Sequence, residues 1–173
     1  QDVDEHIEVR RRALESLAYL GNETVAALIR EAYEAHNVQV RVSAVFAMGR
    51  TADTGWANQV RQELFRPDPE LRYEAARACG ELQLQDAVPE LEELADDADP
   101  EVQEAALWAL GQIGGDRARK ILERYCLAED EAIQTAAEAA LDELEFLHGD
   151  LSDVFVRLVG DEDVAWSSDS SEL

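Results

Sequence analysis

The sequence predicts an all-α fold: an α-solenoid of about five two-helix repeats, wound as a right-handed superhelix. Three observations carry this. An aliphatic column recurs every 31 residues, at Val9, Val40, Leu71, Val102 and Ile133. Alanine stands four positions after each (Ala13, Ala44, Ala75, Ala106, Ala137), and a second small residue seven after (Ser16, Ala47, Ala78, Ala109, Ala140). Capping residues recur at the same period, at Asn37, Asp68, Asp99 and Asp130. The first two columns share one face of a helix, and self-similarity of this length marks a stacked repeat architecture.

The repeats fall at about 6–36, 37–67, 68–98, 99–129 and 130–159, making one repeat domain over 1–159. In repeats two to five, a side-chain oxygen caps the orphan N–H groups of the first helix. Pro69 and Pro100 occupy first-turn positions, where no donor is missed. The first helix breaks near Gly21, Thr51–Gly55, Gln83–Gln85 and Gly114-Gly115. A second helix follows, with expected core columns Val25, Trp56, Ala87, Ala118, then Ile29, Val60, Leu91, Leu122, then Tyr33, Leu64, Ala95, Cys126.

Single repeats carry their own marks. Repeat one holds Arg10-Arg11-Arg12, read as a solvated surface. Arg10 has equivalents in Arg41 and Arg72, a column expected to pair with acids of a neighbouring unit. Repeat two places Trp56 in a core column and Phe65 at an exposed one. Repeat three ends in the acidic run Glu90–Asp99, and repeat four has a basic second helix with Arg117, Arg119, Lys120 and Arg124. In repeat five, Asp142 replaces the glycine of Gly49, Gly80 and Gly111, so the first helix is expected to run on to His148. A turn at Gly149-Asp150 and a capping helix over 151–159 are expected next. Residues 160–173, acidic and Ser-rich, are expected to form a mobile tail. In it, Trp166 reads either as a docking motif or as a residue folded back on the last helix.

Composition narrows the function. The chain has 173 residues, 46% of them hydrophobic, enough for a sizeable core, with a net charge of −24. Residues 1–80 hold 13 acids and 10 bases, whereas residues 81–173 hold 26 acids and 5 bases. Such a balance argues against nucleic acid or an anionic membrane surface as partner, since phosphate contacts need clustered Lys and Arg. Lys120 is the only lysine, a bias compatible with a salt-adapted source. Cys79 and Cys126 read as small buried hydrophobes. No apolar run reaches bilayer length. With no signal-peptide pattern, a cytoplasmic location is expected; with no initiator Met, so is a trimmed fragment of something longer.

The runs Asp68-Pro69-Glu70-Leu71-Arg72…Ala75-Ala76…Ala78-Cys79-Gly80 and Asp99-Pro100-Glu101-Val102…Ala105-Ala106…Ala109-Leu110-Gly111-Gln112-Ile113-Gly114 resemble the short HEAT-like repeat family, of the kind also found in phycobilin lyase subunits. Ala87-Val88-Pro89-Glu90-Leu91 adds to the match, which covers about 8–147. The resemblance implies a binding scaffold. It also implies an alternative, a subunit of a bilin lyase or isomerase acting on a tetrapyrrole-carrying partner protein.

No catalytic constellation stands out, so no enzymatic activity, metal or cofactor is expected. His6, His36 and His148 lie in different repeats. There is no zinc spacing, phosphate loop or calcium loop. What remains is a surface for a protein or peptide, with a monomer favoured. The second helices are expected to line the concave side. Arg30, Asn58, Arg61, Gln62, Phe65, Glu93, Lys120 and Arg124 there, with Trp108, make the expected partner-binding set. Tyr19, Phe46 and Tyr73 are further aromatics off the core columns, while Phe46 and Trp108, sharing a column, also read as packing between repeats.

Overall fold

A computed structural model of the chain describes residues 2–149, apart from Gly21. Among these residues nine α-helices alternate as first and second helices of the repeats. The first helices are α1 (Asp2–Leu17), α3 (Val38–Arg50), α5 (Pro69–Glu81), α7 (Pro100–Ile113) and α9 (Glu131–His148). The second helices are α2 (Glu23–Tyr33), α4 (Ala57–Glu63), α6 (Val88–Leu94) and α8 (Gly115–Tyr125). Residues 150–173, with the second residue of the expected Gly149-Asp150 turn, the expected capping helix, the tail and Trp166, lie outside the described residues.

The caps act as the sequence implies. Asn37 accepts from the Val40 N–H, Asp68 from Glu70 and Leu71, Asp99 from Glu101 and Val102, and Asp130 from Ala132 and Ile133. The first-helix breaks share one backbone device. Ala52, Gln83 and Gly114 all have positive φ (54°, 50° and 70°) and stand 31 residues apart. Only Gly114 is a glycine, and the His148 ring explains why: a Cβ at Gly114 would lie 2.5 Å from its Cδ2. With no such break in repeat five, α9 continues to His148.

Two sequence columns interlock to build the core. The glycines Gly49, Gly80 and Gly111 face Ala78, Ala109 and Ala140 of the following first helix. A Cβ on Gly80 would approach the Ala109 Cα to 2.9 Å, and one on Gly111 would meet the Ala140 carbonyl oxygen at 2.5 Å. The first helices therefore pack backbone to backbone. Gly111→Ala should destabilise the chain by about 1–2 kcal/mol, because overpacking against main chain outweighs the gain in helix propensity. Urea unfolding measures this, and an unchanged or raised midpoint would show that α9 yields without strain.

Each second helix packs against the first helix of the next repeat, α2 on α3, α4 on α5, α6 on α7 and α8 on α9, while successive second helices scarcely touch. The tighter layer is thus the first-helix layer.

Most core columns are buried as expected, with particular departures. Val9 is 61% exposed, and Ala13 and Ser16 are exposed too, because no helix among the described residues covers that side of α1. Tyr33 and Cys126 are only half-buried, at the edge of the core. Glu63 is fully buried, accepting from the Tyr33 hydroxyl (2.7 Å) and from Arg66 (3.1 Å to each oxygen). The burial, together with Glu63, pushes the Tyr33 phenol up to about 12.

Candidate interaction groove

The outward face of the first helices is knit by pairs one repeat apart. Gln39 donates to Glu70, and Arg50 pairs with Glu81 at 3.0 Å. The Arg77 guanidinium lies 3.7 Å from the ring centroid of Trp108, and Gln112 donates to Glu143 at 3.4 Å. Further back, Arg11 donates to the Ser43 hydroxyl (2.9 Å), which donates to Glu15 (2.6 Å). In a 31-residue register, equal positions become neighbours, so one column supplies both members of a pair.

Between these pairs a groove of about 430 Å³ crosses four repeats, from Arg11 through Gln39, Tyr73 and Glu74 to Asp99 and Glu101. A smaller cavity of about 110 Å³ adjoins it, with Phe46, Arg50, Arg77 and Glu81 on its walls. Tyr73 and Glu74 line both. Glu70, Glu74, Asp99 and Glu101 outnumber the single base, Arg11, in the larger groove.

Glu74 stands apart within this face. Its carboxyl has no hydrogen bond or ion pair among the described residues, although Arg77 and Arg50 act on it through space. Burial raises its pKa from 4.5 to about 7, and the charges of Glu81 and Glu15 add to the rise. Burial also raises Glu81, against the pull of Arg50 and Arg77. A half-buried carboxyl without a partner is expensive to keep, and groups of this kind gather at functional sites.

Residues 57–142 match the family model for HEAT repeats, and residues 9–35 match that for the PBS lyase HEAT-like repeat. The chain is a HEAT-repeat protein. No curated protein matches it. Among solved structures, human deoxyhypusine hydroxylase in complex with glycerol is 25% identical, with a TM-score of 0.60, over 68% of this chain and 42% of that one. The complex of CpcE and CpcF of phycocyanin lyase from Nostoc sp. PCC7120 is 23% identical, with a TM-score of 0.67, over 90% of this chain and 66% of that one. An engineered protein is 22% identical, with a TM-score of 0.60, over 79% and 72%. The latter two likenesses show the fold alone. This HEAT array spans less than half of the hydroxylase chain and about two thirds of the lyase chain.

The second-helix face of the HEAT array is organised differently. Arg30 pairs with Glu23 at 3.3 Å and lies 5.5 Å from the Trp56 ring centroid. Arg61 is held by Glu90, and Arg124 (3.0 Å) and Arg117 (3.3 Å) share Glu92. These bases are largely engaged within the chain. Asn58, Gln62, Glu93 and Lys120 are exposed, and Phe65 is 63% exposed. Trp108 is not brought together with them. It lies on α7 in the first-helix layer, half-buried beneath Arg77 and against Gly80.

The arginine column is structural, with partners that sequence alone does not identify. Arg72 forks onto Asp97 (2.8 Å twice) and donates to the carbonyls of Arg66 and Pro67. Arg41 donates to the carbonyls of Tyr33 and Ala35, with no acid. Glu74 escapes sequence reading as a site residue, yet a signal exists: beyond Arg12 in the first repeat, its column holds the small residues Ser43, Ala105 and Ala136, so an acid enters an otherwise small position. Among the described residues no group of three or more His, Cys, Asp or Glu is placed to hold a metal ion, and no helix is long and apolar enough to cross a membrane.

Proposed function

We propose that the chain is a non-catalytic interaction scaffold whose first-helix groove takes a protein or peptide segment bearing Lys or Arg. HEAT repeats are protein-interaction modules, which supports the scaffold role. The observation that carries the site is Glu74, an unpartnered carboxyl lining the groove beside Tyr73 and Phe46. A cationic side chain entering there gains a charge partner in a site shielded from water and aromatic surface for its stem.

A fluorescein-labelled Arg-Ala repeat peptide, followed by anisotropy against the full chain, tests this. Tyr73→Ala is expected to weaken binding about tenfold, a typical effect of removing an anchor. Glu93→Gln, on the second-helix face, changes net charge yet should leave the affinity unaltered, and a Glu-Ala peptide should not bind. Equal losses at both faces would reduce the effect to bulk charge and sink the groove assignment.

A second reading, a bilin lyase or isomerase subunit, draws support from the PBS lyase repeat at residues 9–35 and the likeness to the phycocyanin lyase complex. Mixing the chain with phycocyanobilin would shift the pigment's absorbance if this reading holds.

A further inference from the structure

Every charge around the groove is paired within the chain or open to solvent, except one. From α1, Arg11 is engaged by Glu8 and the Ser43 hydroxyl, and Glu15 accepts from Ser43. From α3, Arg50 pairs with Glu81 at 3.0 Å and lies 5.1 Å from the Phe46 ring centroid. On α5 itself, Glu70 accepts from Gln39, and Arg77 rests on Trp108 at 4.0 Å from Glu81. From α7, Asp99 caps its own helix and Glu101 is exposed. Helix α4 also packs on α5, but its Arg61 and Glu63 are held by Glu90 and by Tyr33 and Arg66, and no α4 residue lines either cavity.

The exception is Glu74. Its carboxyl is half-buried, lines both cavities beside Tyr73, and has no hydrogen bond or ion pair among the described residues. A carboxyl withdrawn from water without a counter-charge favours its neutral, protonated form. A cation brought against it favours the carboxylate instead. Proton and cationic ligand therefore compete for one group, and each must weaken the other's binding by the same factor.

We propose that proton release from Glu74 controls the groove: an arriving guanidinium or ammonium group displaces the carboxyl proton, so a basic partner segment is held at neutral to alkaline pH and released on mild acidification. The inference rests on the function proposed above. In the exchange the Glu74 O–H bond breaks, its proton passes to the solvent, and the carboxylate left behind accepts from the cation, which keeps its own charge. Burial places the carboxyl of the free chain at about 7, well above the range in which exposed carboxylates titrate, so the control falls near neutrality. The three histidines, His6, His36 and His148, line neither cavity.

The labelled Arg-Ala peptide is titrated against the full chain at pH 8, 7 and 6. Affinity is expected to fall about tenfold from pH 8 to pH 6, as for a group at about 7 that must lose its proton to bind. Calorimetry at pH 6 in buffers of different ionisation enthalpy should show about one proton released per peptide, and almost none at pH 8. The Glu74 carboxyl carbon resonance, assigned by its absence in Glu74→Gln, should titrate near neutrality in the free chain and at clearly lower pH with saturating peptide. Glu74→Gln should bind more weakly, and equally at pH 6 and pH 8. Binding at pH 8 that is unchanged at pH 6 overturns the proton control and leaves the groove assignment standing, whereas no binding at pH 8 removes both. A pH dependence that persists in Glu74→Gln also overturns it, by assigning the proton to another group.

Discussion

Glu74→Gln is expected to raise the unfolding free energy by about 2 kcal/mol at pH 8 and to leave it almost unchanged near pH 4. The folded-state pKa of Glu74 lies above the ordinary 4.5, at about 7. Below 4.5 the carboxyl is protonated in both states and contributes nothing. Between 4.5 and about 7 the folded chain holds a proton that the unfolded chain has released, so stability falls as pH rises. Above 7 the penalty is complete. The full shift corresponds to about 3.5 kcal/mol at roughly 1.4 kcal/mol per pH unit, and partial contact with solvent lowers this to about 2. Urea unfolding of both chains at pH 4, 6 and 8 measures the difference, and parallel curves would remove the basis for treating Glu74 as special. The same substitution should weaken binding of the Arg-Ala peptide. Gain in stability with loss of binding is the expected signature of a residue retained for function.

Arg72→Ala is expected to destabilise the chain by about 2 kcal/mol, between the cost of breaking an exposed ion pair and that of breaking a buried one, because the Arg72–Asp97 pair is half-buried. Arg72 and Asp97 are 16% and 9% exposed, and the fork between them is bidentate. Truncation leaves the Asp97 carboxylate with backbone donors such as the Asp99 N–H, and frees the carbonyls of Arg66 and Pro67. The hydrogen bond from Arg72 holds the Asp97 pKa below its ordinary 3.8. A depressed carboxylate contributes stability that is present above the unfolded pKa and lost as pH falls through the folded one. The variant should therefore lose less on acidification than the unaltered chain. Thermal unfolding at pH 7 and pH 3 reads both effects; a loss below about 1 kcal/mol at pH 7 would equate this pair with an ordinary surface salt bridge. Arg72→Lys should recover only part, because an ammonium cannot reproduce the fork.

The 31-residue register made the architecture legible. Asp68, Asp99 and Asp130 announce their caps, and the meeting of Gly80 with Ala109 follows from two columns visible in the text of the chain. The positive φ at Ala52 and Gln83 was hidden because neither residue is a glycine, so the shared turn is apparent only from the backbone. The groove was hidden for another reason. Columns say which residues become neighbours, but not which of two layers is spaced more tightly, and that spacing decides where a stack of helices opens a furrow. Column reading alone groups Trp108 with Lys120 and Arg124, although it lies on α7, in the opposite layer. Glu63 and Glu74 were legible in principle, since each is an acid in a column of different character. The column of Glu63 otherwise holds Ala32, Leu94 and Tyr125.

The contact of Gly49, Gly80 and Gly111 with the alanines of the next helix has a mechanical side. Backbones that touch leave no slack, so the first-helix layer behaves as the inextensible side of a flexible strip. The second helices, which scarcely meet one another, form the side that stretches. When such a strip flexes, strain concentrates in the loose layer and distances along the stiff one are nearly kept. Tyr73, Glu74 and Trp108 sit on the stiff side. A ligand lying across them would find its anchor points at fixed intervals throughout the thermal motion of the array, and would lose little affinity to ordering the groove on arrival.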